Sequence, residues 1–142
     1  MEEKLGVKVE IFTAGNYDGV IQAMAADQIE IARFGSSAYA AAYTATDGGI
    51  VPTLTTQKQD GTTGYYSIVV TRCDSGITSL EEAAGKVHAF ADPDSTSGYA
   101  VPYFNLVQQG YQPEEFFGAV PFSGSHEAGV QGVFNGTFDA AA

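Results

Sequence analysis

The sequence predicts an α/β fold whose sheets are mostly parallel and whose strands are joined by crossover helices. Three observations carry that expectation. Val7, Val9 and Ile11 alternate with polar neighbours, and residues 28–34 alternate again, the period of a half-buried strand. Helix-favouring runs over 17–26 and 38–46 stand between and after them. Turns rich in small and polar residues then mark the strand-to-helix junctions at Asn16-Tyr17, Ser36-Ser37, Ser95-Thr96-Ser97 and Ser123-Gly124-Ser125-His126.

Taken in order, Met1 to Gly6 reads as the end of a helix with a glycine C-cap, and 7–12 as a strand. Asn16 caps a helix over 17–26 that places Val20, Ile21 and Met24 on one face. A strand over 28–34, a helix over 38–46 and a strand over 50–57 follow. Asp60 to Gly64 is turn chemistry, and 65–71 is the most β-prone run of the chain, so a hairpin or bent crossover is expected there. Ser79-Leu80-Glu81-Glu82 matches a capping box for a short helix ending at Gly85. Residues 86–91 should form a strand, and 99–109 a helix stopped by Gly110 with Pro102 in its first turn. Pro113 to Phe117 is one helical turn with proline at N1, 119–122 a short strand, 126–134 a helix, and Phe138 opens another strand.

At 142 residues the chain has about the length of one average domain, with 44% hydrophobic and 16% charged residues, the composition of a folded chain. Six Lys and Arg against 17 Asp and Glu give a formal charge of −11, which repels nucleic-acid phosphate and anionic lipid. Nucleic-acid binding is excluded on that ground. A small anion would need local N–H and hydroxyl donors rather than steering. Cys73 is the lone cysteine, so the sequence carries no internal disulfide and no thiolate metal cluster. No run approaches the ~20 apolar residues that span a bilayer. A cytoplasmic protein, or one whose signal segment lies outside this sequence, fits equally at this point.

Asp92-Pro93-Asp94-Ser95-Thr96-Ser97-Gly98-Tyr99 concentrates the chemistry. The first N–H groups of a helix lack partners within it and carry the positive end of its dipole, so Ser95, Thr96 and Ser97 either cap an ordinary helix or complete an oxyanion socket. His126, at another helix start, offers a ring N–H from a second direction or is a surface cap residue, and His88 reads as structural. Enzymatic patterns are thin. Ser125 and His126 are adjacent and cannot face each other as nucleophile and base, there is no G-x-S-x-G elbow, and the Asp92-to-Gly98 spacing lacks the turn glycine and terminal Glu of a calcium loop.

The pieces Asn16-Tyr17-Asp18-Gly19, Ile29-Glu30-Ile31-Ala32-Arg33-Phe34-Gly35, Asp60-Gly61-Thr62-Thr63-Gly64-Tyr65-Tyr66-Ser67, Asp92 to Tyr99 and Ser123-Gly124-Ser125-His126-Glu127-Ala128 stand in one recognisable order. In them the chain resembles the phosphonate/phosphite substrate-binding proteins of ABC transporters, a periplasmic family with a type II binding-protein fold. The resemblance implies two α/β lobes, here 1–71 as part of the first and 72–142 as the second, with a hinge crossing near 64–72 and truncation at both ends. It implies a reversible binder rather than an enzyme, without cofactor or metal, that captures phosphonate, phosphite or a related oxyanion outside the cytoplasm for a membrane permease. Ser95, Thr96 and Ser97 would grip the oxygens, His126 would donate from the other side, and Tyr17 and Tyr65 would close over the ligand. Arg33 departs from the family, which carries an aromatic residue there. The readings that compete are a ligand-sensing domain of a signalling protein and a hydrolase of phosphorus esters. Exposed sheet surface would also favour association of copies of the chain.

Overall fold

The computed structural model describes residues 2–142, so Met1 lies outside it. A short helix α1, Glu2–Leu5, ends on Gly6 at φ +69, the left-handed cap expected there. Helix α2, Tyr17–Ala25, starts where Asn16 Oδ1 accepts the Gly19 N–H at 3.0 Å. It packs on α3, Ser36–Ala45, around buried Ile21, Ala38 and Ala42, with Tyr17, Phe34 and Ile50 closing the cluster. Ala38 and Ala42 lie one turn apart on the same face, and their small side chains let the two helices approach closely.

Three expected strands do not form: residues 7–12, 28–34 and 50–57 make no ladder among the described residues, and of the run 65–71 only Val70 and Thr71 pair. Many of the apolar side chains of these runs stay in water, Ile11 88% exposed, Ile31 74% and Leu54 95%, whereas Phe34 and Ile50 pack on the α2–α3 cluster. Alternation specifies which face of a strand is greasy, but a strand exists only where a second segment returns its N–H and C=O groups. The turn at 58–62 does form, with Lys58 N–H on the Thr62 carbonyl at 2.8 Å and Asp60 Oδ1 accepting from Thr62. A well-made turn without flanking pairing is therefore what remains of the expected hairpin.

The sheet belongs to the C-terminal half. β1, Val70–Thr71, β2, His88–Ala89, and β3, Ala140–Ala141, are ordered β1-β3-β2, with β3 antiparallel to β1 and parallel to β2. Residues 119–122 extend it on the other side of β2 through parallel bridges Val87↔Ala119 and Phe90↔Phe122. Parallel pairing thus dominates, with β1 the exception.

Successive residues of β2 point to opposite faces and each face is covered. Phe90 packs with Leu106, Phe117, Ala83 and Ala142 on one side, and Ala89 with Val133 and Ala141 on the other. Leu106 comes from α4, Val101–Gln108, and Val133 from α6, His126–Phe134. A single turn, α5 at Pro113–Phe116, places Phe116 and Phe117 against the first face.

Two helices differ from expectation at their starts. The helix expected from Tyr99 begins earlier, as a π turn over Thr96–Ala100 in which the Ala100 N–H reaches the Ser95 carbonyl at 3.0 Å, and runs straight into α4. Pro102 sits in the first turn of α4, and Gly110 ends the run at φ +91. The capping-box segment makes only a 3-10 turn, Glu81–Ala83, with Glu82 Oε2 accepting the N–H groups of Thr78 and Ser79 at 2.6 and 3.1 Å. No helix among the described residues is long and apolar enough to cross a membrane.

Candidate functional site

Parallel strands deliver their following turns to one edge of the sheet, so the turns after β2 and after 119–122 emerge side by side. The first is built by Asp92. Its Oδ1 accepts the Asp94 N–H at 2.9 Å and its carbonyl accepts the Ser95 N–H at 2.9 Å, an Asx turn that reverses the chain around Pro93. Ser95 then caps the π turn, its Oγ accepting the Gly98 N–H at 3.0 Å, and is 2% exposed. Gly98 is required there. A Cβ on it would stand 2.4 Å from Ala91 Cβ, 2.8 Å from His126 Cε1 and 2.9 Å from Ser95 Oγ.

The second turn brings α6. Ser125 Oγ accepts the Ala128 N–H at 3.1 Å, and the adjacent His126 lies with Nε2 3.4 Å from Ser95 Oγ. The N-terminal half meets the same turn from the other side. Thr96 Oγ1 accepts the Ser37 N–H at 2.8 Å and donates to Ser37 Oγ at 3.2 Å, at the start of α3. Asp92 Oδ2 accepts the Tyr17 N–H at 3.1 Å, at the start of α2. The Ser67 hydroxyl donates to the Ser97 carbonyl. Four helix starts therefore converge on seven consecutive residues.

Of the residues singled out in the sequence, Ser95, Thr96, Ser97, His126 and Tyr17 come together here. Tyr17 contributes its backbone N–H to the junction, while its ring packs on the Ile21 cluster. Tyr65 is 59% exposed, with its hydroxyl 3.8 Å from where a Cβ on Gly35 would stand; the same Cβ would lie 3.0 Å from Thr96 Oγ1. Ser37 was named only as part of a helix-start junction, and Asp92 and Gly98 only as parts of the turn, none of them as an individual site residue. The Asp-Pro-Asp spacing that sets an Asx turn was the one local sign of Asp92's structural part.

The donors are neutral hydroxyls and helix-start N–H groups plus one imidazole. The two ion pairs among the described residues, Lys8–Glu10 and Arg72–Asp74, belong elsewhere. Burial first, then the charges of Asp92 and Asp18, raise the Asp94 carboxyl above its ordinary value. No cluster of His, Cys, Asp and Glu among the described residues could hold a metal. A cavity of about 160 Å³ opens beside the turn, lined by Ser97 and His126 with Tyr66, Ile68, Val130 and Ala142. A roomier hollow of about 520 Å³ lies farther along β1 and α6, between Arg72, Cys73 and Phe134.

A family model described as the periplasmic substrate-binding protein of phosphonate ABC transporters matches residues 1–142. The chain is 33% identical over 146 residues to the phosphonates-binding periplasmic protein of Escherichia coli K12, covering 99% of this chain and 42% of that protein. It is 33% identical over 149 residues to the phosphate-import protein PhnD of Mycolicibacterium smegmatis, covering 99% and 46%. Among solved structures, the binding protein of an ABC phosphonate transporter from Pseudomonas aeruginosa superposes with a TM-score of 0.82 at 30% identity, over 99% of this chain and 47% of that one. The chain thus spans about half the length of the relatives it matches, and its α/β fold is that of type II periplasmic binding proteins.

Proposed function

Since the chain belongs to the phosphonate periplasmic substrate-binding family of ABC transporters, we propose that the protein it represents captures a phosphonate, phosphite or related oxyanion and presents it to a membrane permease. The observation that carries this is the meeting of four helix starts at Asp92 to Gly98, with Thr96 Oγ1 on the Ser37 N–H and Ser95 Oγ facing His126. Such an arrangement gathers hydroxyls, helix-start N–H groups and an imidazole in a small volume, the kind of neutral donor set a tetrahedral oxyanion can use. Thr96 and Ser97, the His126 ring and the N–H groups of the turn are the proposed contacts. Ser95, already buried, would orient His126 as well as donate. Tyr17 and Tyr65 would close over the organic part.

The two lobes in this reading are 1–71 and 72–142, with the crossing near 64–72 and closure about it sequestering the ligand. The working place is extracytoplasmic, where such a component meets its permease. A hydrolase is less well supported. His126 has no carboxylate partner among the described residues to orient it as a general base.

Isothermal titration of the chain with methylphosphonate, phosphite, phosphate and sulfate tests the reading. Saturable heat with one of the phosphorus oxyanions and weaker binding of sulfate is expected; no heat with any of them, or equal affinity for sulfate, overturns it. The uncovered apolar side chains of 7–12, 28–34 and 50–57 further lead us to expect copies of the chain to associate, more so at high salt where the −11 charge is screened. Light scattering that reports a monomer at high concentration and high salt would rule this out.

A further inference from the structure

The turn that carries the proposed anion contacts also holds a buried carboxylate. Asp92 is 4% exposed, and both of its oxygens accept backbone N–H groups, one from its own turn and one from the first turn of α2. That is the hydrogen-bonding role of a carboxylate rather than of a carboxylic acid. It also means that the positive end of α2 is already answered by a protein charge before any ligand arrives. The titratable and charged groups around Asp92 are Asp94 in its own turn, Tyr17 and Asp18 on α2, and His126 at the start of α6; α3 contributes the neutral Ser36 and Ser37. Neither of the two ion pairs among the described residues brings a Lys or Arg to this turn.

We infer that the site takes its oxyanion in the singly charged, protonated form and rejects the doubly charged form, and that Asp92 is the residue that sets this preference. This rests on the phosphorus-oxyanion reading above and deepens it. Neutral hydroxyls and N–H groups can solvate one negative charge, but a second charge on the same ligand is repelled by the buried Asp92 carboxylate at the head of the same turn. A proton on one ligand oxygen removes that repulsion. The raised Asp94 carboxyl reports the same crowding of negative charge at this turn.

The test is the pH dependence of affinity, measured calorimetrically on the whole chain with two phosphonates, methylphosphonate and chloromethylphosphonate. The second ionisation of the chlorinated ligand lies lower, because chlorine withdraws charge from phosphorus. Above its own second ionisation each ligand should lose about tenfold in affinity per pH unit, and the break should shift between the two ligands by the difference in their ionisations. In Asp92→Asn the loss should shrink, because the neutral amide no longer opposes the second charge. A break at the same pH for both ligands would place the proton on the protein instead and overturn the inference, as would affinity that is flat or rising through the ligand's ionisation. The two-ligand comparison needs no variant, so poor folding of Asp92→Asn leaves it decisive. Absence of binding by either ligand at every pH removes the oxyanion reading itself, and this inference with it.

Discussion

Thr96 joins the two halves of the chain through a single oxygen that accepts the Ser37 N–H and donates to the Ser37 hydroxyl, across 59 residues of sequence. Thr96→Ala leaves a half-buried N–H without that partner and should cost about 1–2 kcal/mol of stability, read as a lower urea midpoint. In calorimetry the same variant should bind a phosphonate about 1–3 kcal/mol more weakly. His88 gives a different kind of prediction. It is 2% exposed, stacked on Phe117 at 4.6 Å and edge-on to Phe90, and its Nε2 has no hydrogen-bond partner. Burial lowers its pKa from 6.5 to about 4, so between those values the unfolded chain takes up a proton that the folded chain refuses. Stability should be full above pH 6.5 and fall as pH drops toward 4, by at most about 3 kcal/mol. A phenyl ring suits the stacked site without the proton, so His88→Phe should flatten that part of a stability-against-pH curve measured by denaturation.

Among the elements, helix starts were legible in the sequence and strand pairing was not, for a physical reason. A cap is decided within four residues: Asn16, Ser95 and Ser125 each accept the N–H three positions on, as their residue types and places suggested. Ser125→Ala should therefore cost about 1 kcal/mol, visible as reduced thermal stability, and loosen the turn that presents His126. Pairing is decided at a distance. Residues 86–91 and 28–34 look equally strand-like, yet the first meets 119–122 and β3, whereas the second finds no ladder partner among the described residues. The site was legible to the extent that its donors are cap residues. Ser36-Ser37 was legible as a helix start, but its pairing with Thr96, like the part of Asp92, depends on which helix start the fold places opposite. Gly98 escaped notice because only close packing against Ala91 and His126 makes it necessary.

Over the whole molecule, order is unevenly shared. The C-terminal half carries the sheet and the larger aromatic core, whereas the N-terminal half rests on one helix pair and on its junction with Asp92 and Thr96. Amide hydrogen exchange should show this directly. The amides of Val87, His88, Phe90 and Ala142, each bonded across the sheet, should be the slowest to exchange, and those of 7–12 and 50–57 should exchange almost as in an unfolded peptide. Comparable protection in both sets would contradict the unpaired arrangement of the first half.

The position of β3 has a kinetic consequence. This strand is the centre of the sheet, yet its partners lie far back in the chain: Asp139 bonds Val87 over 52 residues and Thr71 over 68. Neither face of β2 can be finished before those long loops close, and loop closure spends chain entropy before any contact repays it. The rate of folding should thus be governed by the search of 139–142 for its slot between β1 and β2 rather than by the helices, which form locally and early.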